Sequence, residues 1–308
     1  MYIPVALFTY NRLQTLKATL ESLNNNYLAD QTDIFIYSDG PKNSNDCEKV
    51  NNVRNFIRNF KGFNKITIIE REFNLGLGKN IISGINNLFS MHNSIIVLED
   101  DIVTSKYFLE FMNQALRIYE KDNKVCQVSG YSYLQNYSNK YQLDKFYFIK
   151  GADCMAFGTW KSSWSNFSDD AKYLYEEIKK RNLIKSFNRN NSYNYLKMLK
   201  ARSENKNNSW AICWYATNFL RNKYCFYPLN SFALHIGNKT DATNYIPVSD
   251  DKLNVKLNDQ KEEVITVDVF EKKNTRLAYE EFLKELRGSF FERLKSYIKV
   301  FMRKNALL

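Results

Sequence analysis

The sequence predicts an α/β fold in which a mainly parallel central sheet carries helices on both faces, with an amphipathic helical tail appended. Three observations lead there. Strand-like and helix-like segments alternate through residues 1–120, the strand-like segments are short unbroken apolar runs of the kind found in sheets buried on both faces, and each run stops abruptly at polar residues.

Taken in order, residues 3–9 read as a strand, 13–23 as a helix, 34–38 as a strand and 50–60 as a helix. Residues 66–69 are a third strand, 81–89 a third helix, 95–98 a fourth strand and 107–119 a fourth helix. Residues 125–130 add a strand. Beyond them lie an aromatic, Asn-rich stretch, a basic helical pair over 171–203 and a helix over 210–220. Residues 238–262 are polar and weakly periodic and read as a flexible connection.

Composition narrows the function classes. At 308 residues the chain can bury a substantial core, and with 10 Gly and 4 Pro it is neither disordered nor collagen-like. Its five cysteines form no C-x-x-C pair and suit a reducing compartment, and with two histidines a Cys/His zinc site or a Ser-His-Asp triad has too few members. Neither a signal peptide nor a membrane-spanning run is recognisable, so a cytoplasmic protein is expected.

The net charge is +11. Residues 172–206 carry ten Lys/Arg against three Glu, and residues 276–308 carry eight against four. This excess suits an anionic partner or, equally, solvated helix faces. In the tail, Phe290, Leu294, Ile298 and Phe301 share one helical face and Arg293, Lys295, Lys299, Arg303 and Lys304 lie elsewhere. That pattern could rest on the inner face of an anionic membrane, pack on its own domain or meet another subunit.

Ligands of such sheets bind beyond the carboxyl ends of the strands. Strand one ends at Thr9-Tyr10-Asn11-Arg12, strand two at Ser38-Asp39-Gly40, strand three at Arg71 with Asn74, Gly76 and Lys79 nearby, and strand four at Glu99-Asp100-Asp101. Three adjacent carboxylates repel one another unless a cation neutralises them, which implies Mn2+ or Mg2+ bridging to a substrate diphosphate. An exposed acidic turn ahead of a helix is the plainer alternative. Arg12, Arg71 and Lys79 could neutralise the diphosphate, since neither the dinucleotide nor the Walker A glycine pattern is met around Gly76 and Gly78. His235 reads either as a satisfied half-buried residue or as a second metal ligand.

Together these stretches resemble bacterial family 2-type glycosyltransferases, akin to the N-acetylglucosaminyltransferase I group, strongly over about residues 3–130. The likeness continues more weakly through residues 157–161 and 210–214 to about residue 237. It implies a GT-A fold, with residues 1–130 as the nucleotide-sugar half, 131–240 as the acceptor half and 241–308 as linker and basic tail. By the same resemblance Asp39 would read a uracil ring, Asp100 would touch the ribose or the metal shell, Asp101 would ligate Mn2+ and Arg71 would sit against the nucleotide.

The implied reaction is an inverting transfer from a UDP-sugar donor to a hydroxyl of a bacterial surface glycan, lipid-linked or lipooligosaccharide, with no nucleic acid involved. Relatives place an acid close to the Trp210 position; here Glu204 is the nearest and Asp153 the other candidate base. Trp160 and Trp210 are candidate sugar-stacking surfaces, as are Trp164 and Trp214, although core packing is the commoner fate of a tryptophan. A sugar nucleotidylyltransferase could share the architecture but would need a glycine-rich loop after strand one, and a homologue without turnover would keep the site but lack the base.

Overall fold

A computed structural model describes residues 2–237 and 255–287. The first half follows the expected alternation: β1 (Val5–Thr9), α1 (Leu13–Asn24), β2 (Asp33–Ser38), α2 (Ser44–Asn59), β3 (Lys65–Glu70), α3 (Leu77–Phe89), β4 (Ser94–Glu99), β5 (Ile102–Thr104), α4 (Phe108–Tyr119) and β6 (Val125–Ser129). The second half adds α5 (Ser138–Tyr141), β7 (Phe146–Lys150), β8 (Phe157–Trp160), α6 (Lys161–Trp164), α7 (Ala171–Lys180), α8 (Ile184–Phe187), α9 (Tyr195–Ser203), α10 (Trp210–Leu220), β9 (Tyr224–Pro228), β10 (Ala233–His235) and α11 (Lys273–Arg287).

Eight strands form one sheet in the order β3-β2-β1-β4-β8-β6-β9-β7, and β5 pairs antiparallel with β10 in a second, two-stranded sheet. β1, β2, β3 and β4 run parallel, whereas β8 lies antiparallel between β4 and β6. β6 therefore points the same way as β4. One edge of the sheet gathers the carboxyl ends of β1 to β4 and β6 together with the chain entering β8.

Successive strand residues face opposite sides, which is why the runs are apolar throughout. Val5 and Leu7 pack with Leu16, Leu20, Val53 and Ile57 of α1 and α2 on one side. Ala6 and Phe8 pack with Ile81, Ile85 and Trp214 of α3 and α10 on the other. Two helices begin earlier than their apolar periodicity suggests. α2 starts at Ser44 because the Asn43 side chain caps it, accepting from the Asn45 N–H at 3.0 Å. α3 starts at Leu77 because Gly76, at φ +76°, turns the chain into it in a conformation other residues rarely adopt.

The described part of the predicted connection is not loose. The Asn258 N–H donates to the Ser231 carbonyl at 2.7 Å, and Glu262 Oε1 accepts from both Asn230 and Asn258. α11 then packs Ala278, Phe282 and Leu283 against Leu134, Tyr147 and Tyr227. Residues 255–287 are thus part of the domain's core rather than a tail, while the basic face from Phe290 to Lys304 lies outside the described residues. Several cations of 172–206 have partners in the fold: Arg181 pairs with Glu177 at 2.6 Å, Arg202 with Asp169 at 3.1 Å, and Arg189 is buried against Glu271 at 2.7 Å. Among the described residues no helix is long and apolar enough to cross a membrane.

Candidate functional site

The acid triplet lies where β4 ends and the chain turns into β5. Asp100 and Asp101 are buried and Glu99 is half-buried. Asp100 Oδ2 accepts from the Thr9 hydroxyl at 2.8 Å and the Tyr10 N–H at 3.3 Å, so the carboxylate fastens the end of β1 to that of β4. Its Oδ1 meets the Arg12 guanidinium, whose other arm lies 2.8 Å from Asp101 Oδ2. Burial pushes the Asp100 carboxyl up despite Arg12. Burial and the neighbouring Asp101 and Asp100 charges push Glu99 up to about 8. At Asp101 the upward push of burial is outweighed by the His235 hydrogen bond and the Arg12 charge, and the carboxyl is held below its usual range.

His235 arrives from the small sheet. β10 pairs with β5 so that His235 stands opposite Ile102, and the Ile236 N–H donates to the Asp101 carbonyl at 2.8 Å. This sets His235 Nε2 3.4 Å from Asp101 Oδ2. Gly237 closes the corner: a Cβ there would come within 2.6 Å of both atoms, so any other residue would crowd them. Among the described residues no three His, Cys, Asp or Glu side chains cluster as a full protein shell. A carboxylate oxygen and an imidazole nitrogen still fit Mn2+ or Mg2+, which keep positions for substrate phosphates and water.

Asp39 is built differently from the expectation that it reads a uracil ring. Its Oδ1 accepts from the Gly40 and Leu75 N–H groups at 2.9 and 2.8 Å, and its Oδ2 from the Gly76 N–H and the Asn74 amide at 3.0 and 3.2 Å. Four donors occupy both oxygens, so the carboxylate anchors the loop after β3, and a base imide would have to displace one of them. Arg71 packs over Tyr37, donating to Asn80 at 3.1 Å and Ser83 at 3.2 Å, and Lys79 is exposed on the first turn of α3. Tyr10 and Asn11 are held by Asp46 of α2, at 2.8 and 3.2 Å, a residue the sequence reading passed over.

The two candidate bases separate clearly. Glu204 faces solvent and pairs with Lys206 at 2.7 Å and Lys200 at 3.7 Å, and the Lys206 hydrogen bond holds its carboxyl below the usual range. That suits a surface ion pair and not a proton acceptor working near neutrality. Asp153 enters β8 at the site edge, where Phe157 pairs with Val97 of β4. Its Oδ1 is fixed by the Tyr133 hydroxyl at 2.7 Å and the Cys154 and Met155 N–H groups at 2.6 and 3.2 Å, while among the described residues Oδ2 meets only the Ser129 hydroxyl at 3.2 Å. Burial pushes this carboxyl up, against those hydrogen bonds. Ser129 and Tyr133 were missed by the sequence reading; inspecting the end of β6 by the rule applied to β1 to β4 would have found Ser129.

The tryptophans are core residues. Trp160 is buried and its indole N–H donates to the Leu116 carbonyl at 3.1 Å. Trp210 is buried between Phe157 and Trp164, and Trp164 and Trp214 spend their N–H groups on Asn86 and Gln127. None offers a ring face for a sugar. The stacking role expected of Trp160 and Trp210 is corrected, because the apolar space between sheet and helices claims them.

Comparison with known proteins adds the following. A family model described as Glycosyl transferase family 2 matches residues 5–168. No curated protein matches. Among solved structures, S. aureus TarS 1-349 in complex with UDP-GlcNAc is 16% identical with a TM-score of 0.32, covering 42% of this chain and 34% of that one. The mannosyltransferase PcManGT from Pyrobaculum calidifontis, in complex with GDP-Man and Mn2+, is 12% identical with a TM-score of 0.37, covering 58% and 47%. A UDP-glucose pyrophosphorylase complexed with UDP-glucose is 11% identical with a TM-score of 0.37, covering 73% and 90%. The match to the TarS chains spans between 21% and 35% of their length.

Proposed function

Because the chain belongs to glycosyl transferase family 2, we propose that it moves a sugar from a nucleotide diphosphate donor, a UDP-sugar in the first instance, to an acceptor hydroxyl with inversion. The observation that carries this reading is the meeting of Asp100, Asp101, Arg12, Thr9 and His235 at the strand ends. Asp101 and His235 are the residues that would hold Mn2+ or Mg2+. When bound, the ion supplies positive charge to the departing diphosphate.

Thr9 and Asp100 fix the turn after β1, and Arg12 with Arg71 offers guanidinium groups to phosphate oxygens. The loop anchored by Asp39 and the Tyr10–Asp46 contact form the walls against which the base would lie. Asp153 accepts the acceptor's proton through Oδ2, the oxygen with spare capacity. In this reading residues 1–130 serve the donor and residues 131–240 the acceptor, a bacterial surface glycan. The choice of uridine rests on the likeness of the strand-end motifs to the family pattern.

Melting the protein with UDP, GDP, CDP and TDP, each with and without Mn2+, tests this. A ligand at a hundredfold its Kd stabilises by about 2.7 kcal/mol, a readily measured rise in Tm. UDP should stabilise only with Mn2+, and Asp101→Ala should abolish that shift. An equal response in wild type and variant contradicts the site.

A further inference from the structure

The oxygen of Asp101 that faces His235 is the same oxygen that Arg12 holds. Asp101 Oδ2 is 3.4 Å from His235 Nε2 and 2.8 Å from Arg12 Nη1. The second arm of the guanidinium grips Asp100, whose other oxygen is taken by Thr9 and Tyr10. Arg12 is therefore clamped across two buried carboxylates and supplies the positive charge their crowding demands.

A divalent ion on Asp101 Oδ2 would sit a few ångströms from that guanidinium, with two cations sharing one oxygen in a poorly solvated corner. Something has to draw Arg12 off first. A diphosphate can, since it offers a guanidinium a paired-oxygen partner of higher charge than a carboxylate.

We propose that Arg12 is a resident counter-cation that keeps Asp101 closed to a divalent ion until a diphosphate draws the guanidinium away, so that metal and donor bind as one event. This rests on the reading of Asp101 as the metal ligand. Arg12 is then a specificity-determining residue: it makes the site respond to the metal–diphosphate pair and stay unresponsive to either partner alone. Binding free energies are reciprocal, so whatever factor the diphosphate adds to metal affinity, the metal adds to diphosphate affinity.

The test uses the full chain, Mn2+ and inorganic pyrophosphate, which carries the diphosphate without any base or sugar. Free Mn2+ is followed by its paramagnetic resonance signal, and Tm is measured with Mn2+, with pyrophosphate and with both. Wild type should bind Mn2+ weakly alone, and the two ligands together should raise Tm by more than the sum of their separate effects. Arg12→Gln should bind Mn2+ alone roughly tenfold more tightly than wild type, and the surplus on adding pyrophosphate should shrink to what direct contact between the ion and pyrophosphate supplies.

Should the uncompensated acids of Arg12→Gln prevent folding, Arg12→Lys retains a positive charge that cannot bridge both carboxylates. It should show the same change to a smaller degree. Equal or weaker binding of Mn2+ by the Arg12 variants, with Asp101→Asn inactive in every arm, overturns the inference and leaves the metal site standing. Unimpaired binding of Mn2+ with pyrophosphate by Asp101→Asn, or no binding by any form, overturns both.

Discussion

At the scale of single residues, the site edge shows how much one carboxylate's neighbours decide. Glu204 and Asp153 are both acids near aromatic blocks, but one is neutralised on the surface by Lys206 and Lys200 and the other is half-buried with one oxygen fixed. A general base must be ionised to work, and burial raises the Asp153 carboxyl. Turnover should therefore fall as pH drops through a value above the ordinary carboxylate range. Asp153→Asn should lower the rate of nucleoside diphosphate release about a hundredfold or more, leaving the Mn2+-dependent Tm shift in place, while Glu204→Gln should change neither. A full rate in Asp153→Asn would remove it from the reaction. The carboxylates at the end of β4 were legible in the sequence because they follow an apolar run. The Tyr133 to Asp153 bond was not, because nothing local links a residue after β6 to one before β8.

At the scale of elements, the parallel half of the sheet was readable because each of its strands is buried on both faces and so is apolar at every position. β7 and β8 were lost in the aromatic stretch, and β9 went unassigned after the helix over 210–220: FYFIK, FGTW and YCFYP mix aromatics with polar and small residues, and their pairing is set by distant partners. α11 was read as the start of a tail because its apolar stripe continues in period into residues 288–308. Its stripe is instead committed to the domain. Phe282 is 1% exposed and its ring lies 5.2 Å from that of Tyr133, the residue that holds Asp153. Phe282→Ala should cost about 3 to 5 kcal/mol in urea unfolding and also slow turnover, because Tyr133 loses the wall that orients it. Leu277→Ala, at a position 42% exposed, should stay within about 0.5 kcal/mol of wild type. Equal effects from the two changes would mean that α11 is not part of the core.

At the scale of the whole molecule, the net charge of +11 has to be weighed against where it is already answered. Several cations of residues 172–206 are paired within the fold, by Glu177, Asp169, Glu204 and Glu271, although most of that segment's excess stays on the surface. Residues 288–308 differ, with five Lys/Arg against one Glu interleaved with Phe290, Phe291, Leu294, Ile298 and Phe301. Each such cation near an anionic bilayer contributes about 1 kcal/mol, enough together for reversible attachment at low salt, and a lipid-linked acceptor would be reached from that surface. The full chain should sediment with phosphatidylglycerol vesicles at low ionic strength, be released as salt shortens the Debye length, and ignore phosphatidylcholine. A chain ending at Arg287 should lose the attachment while keeping its Mn2+-dependent response to UDP, since Arg12, Asp101 and His235 all lie ahead of that point. If the shortened chain still sediments, the attraction comes from the body of the domain, and the basic surface of α7 and α9 would have to be reconsidered as the contact.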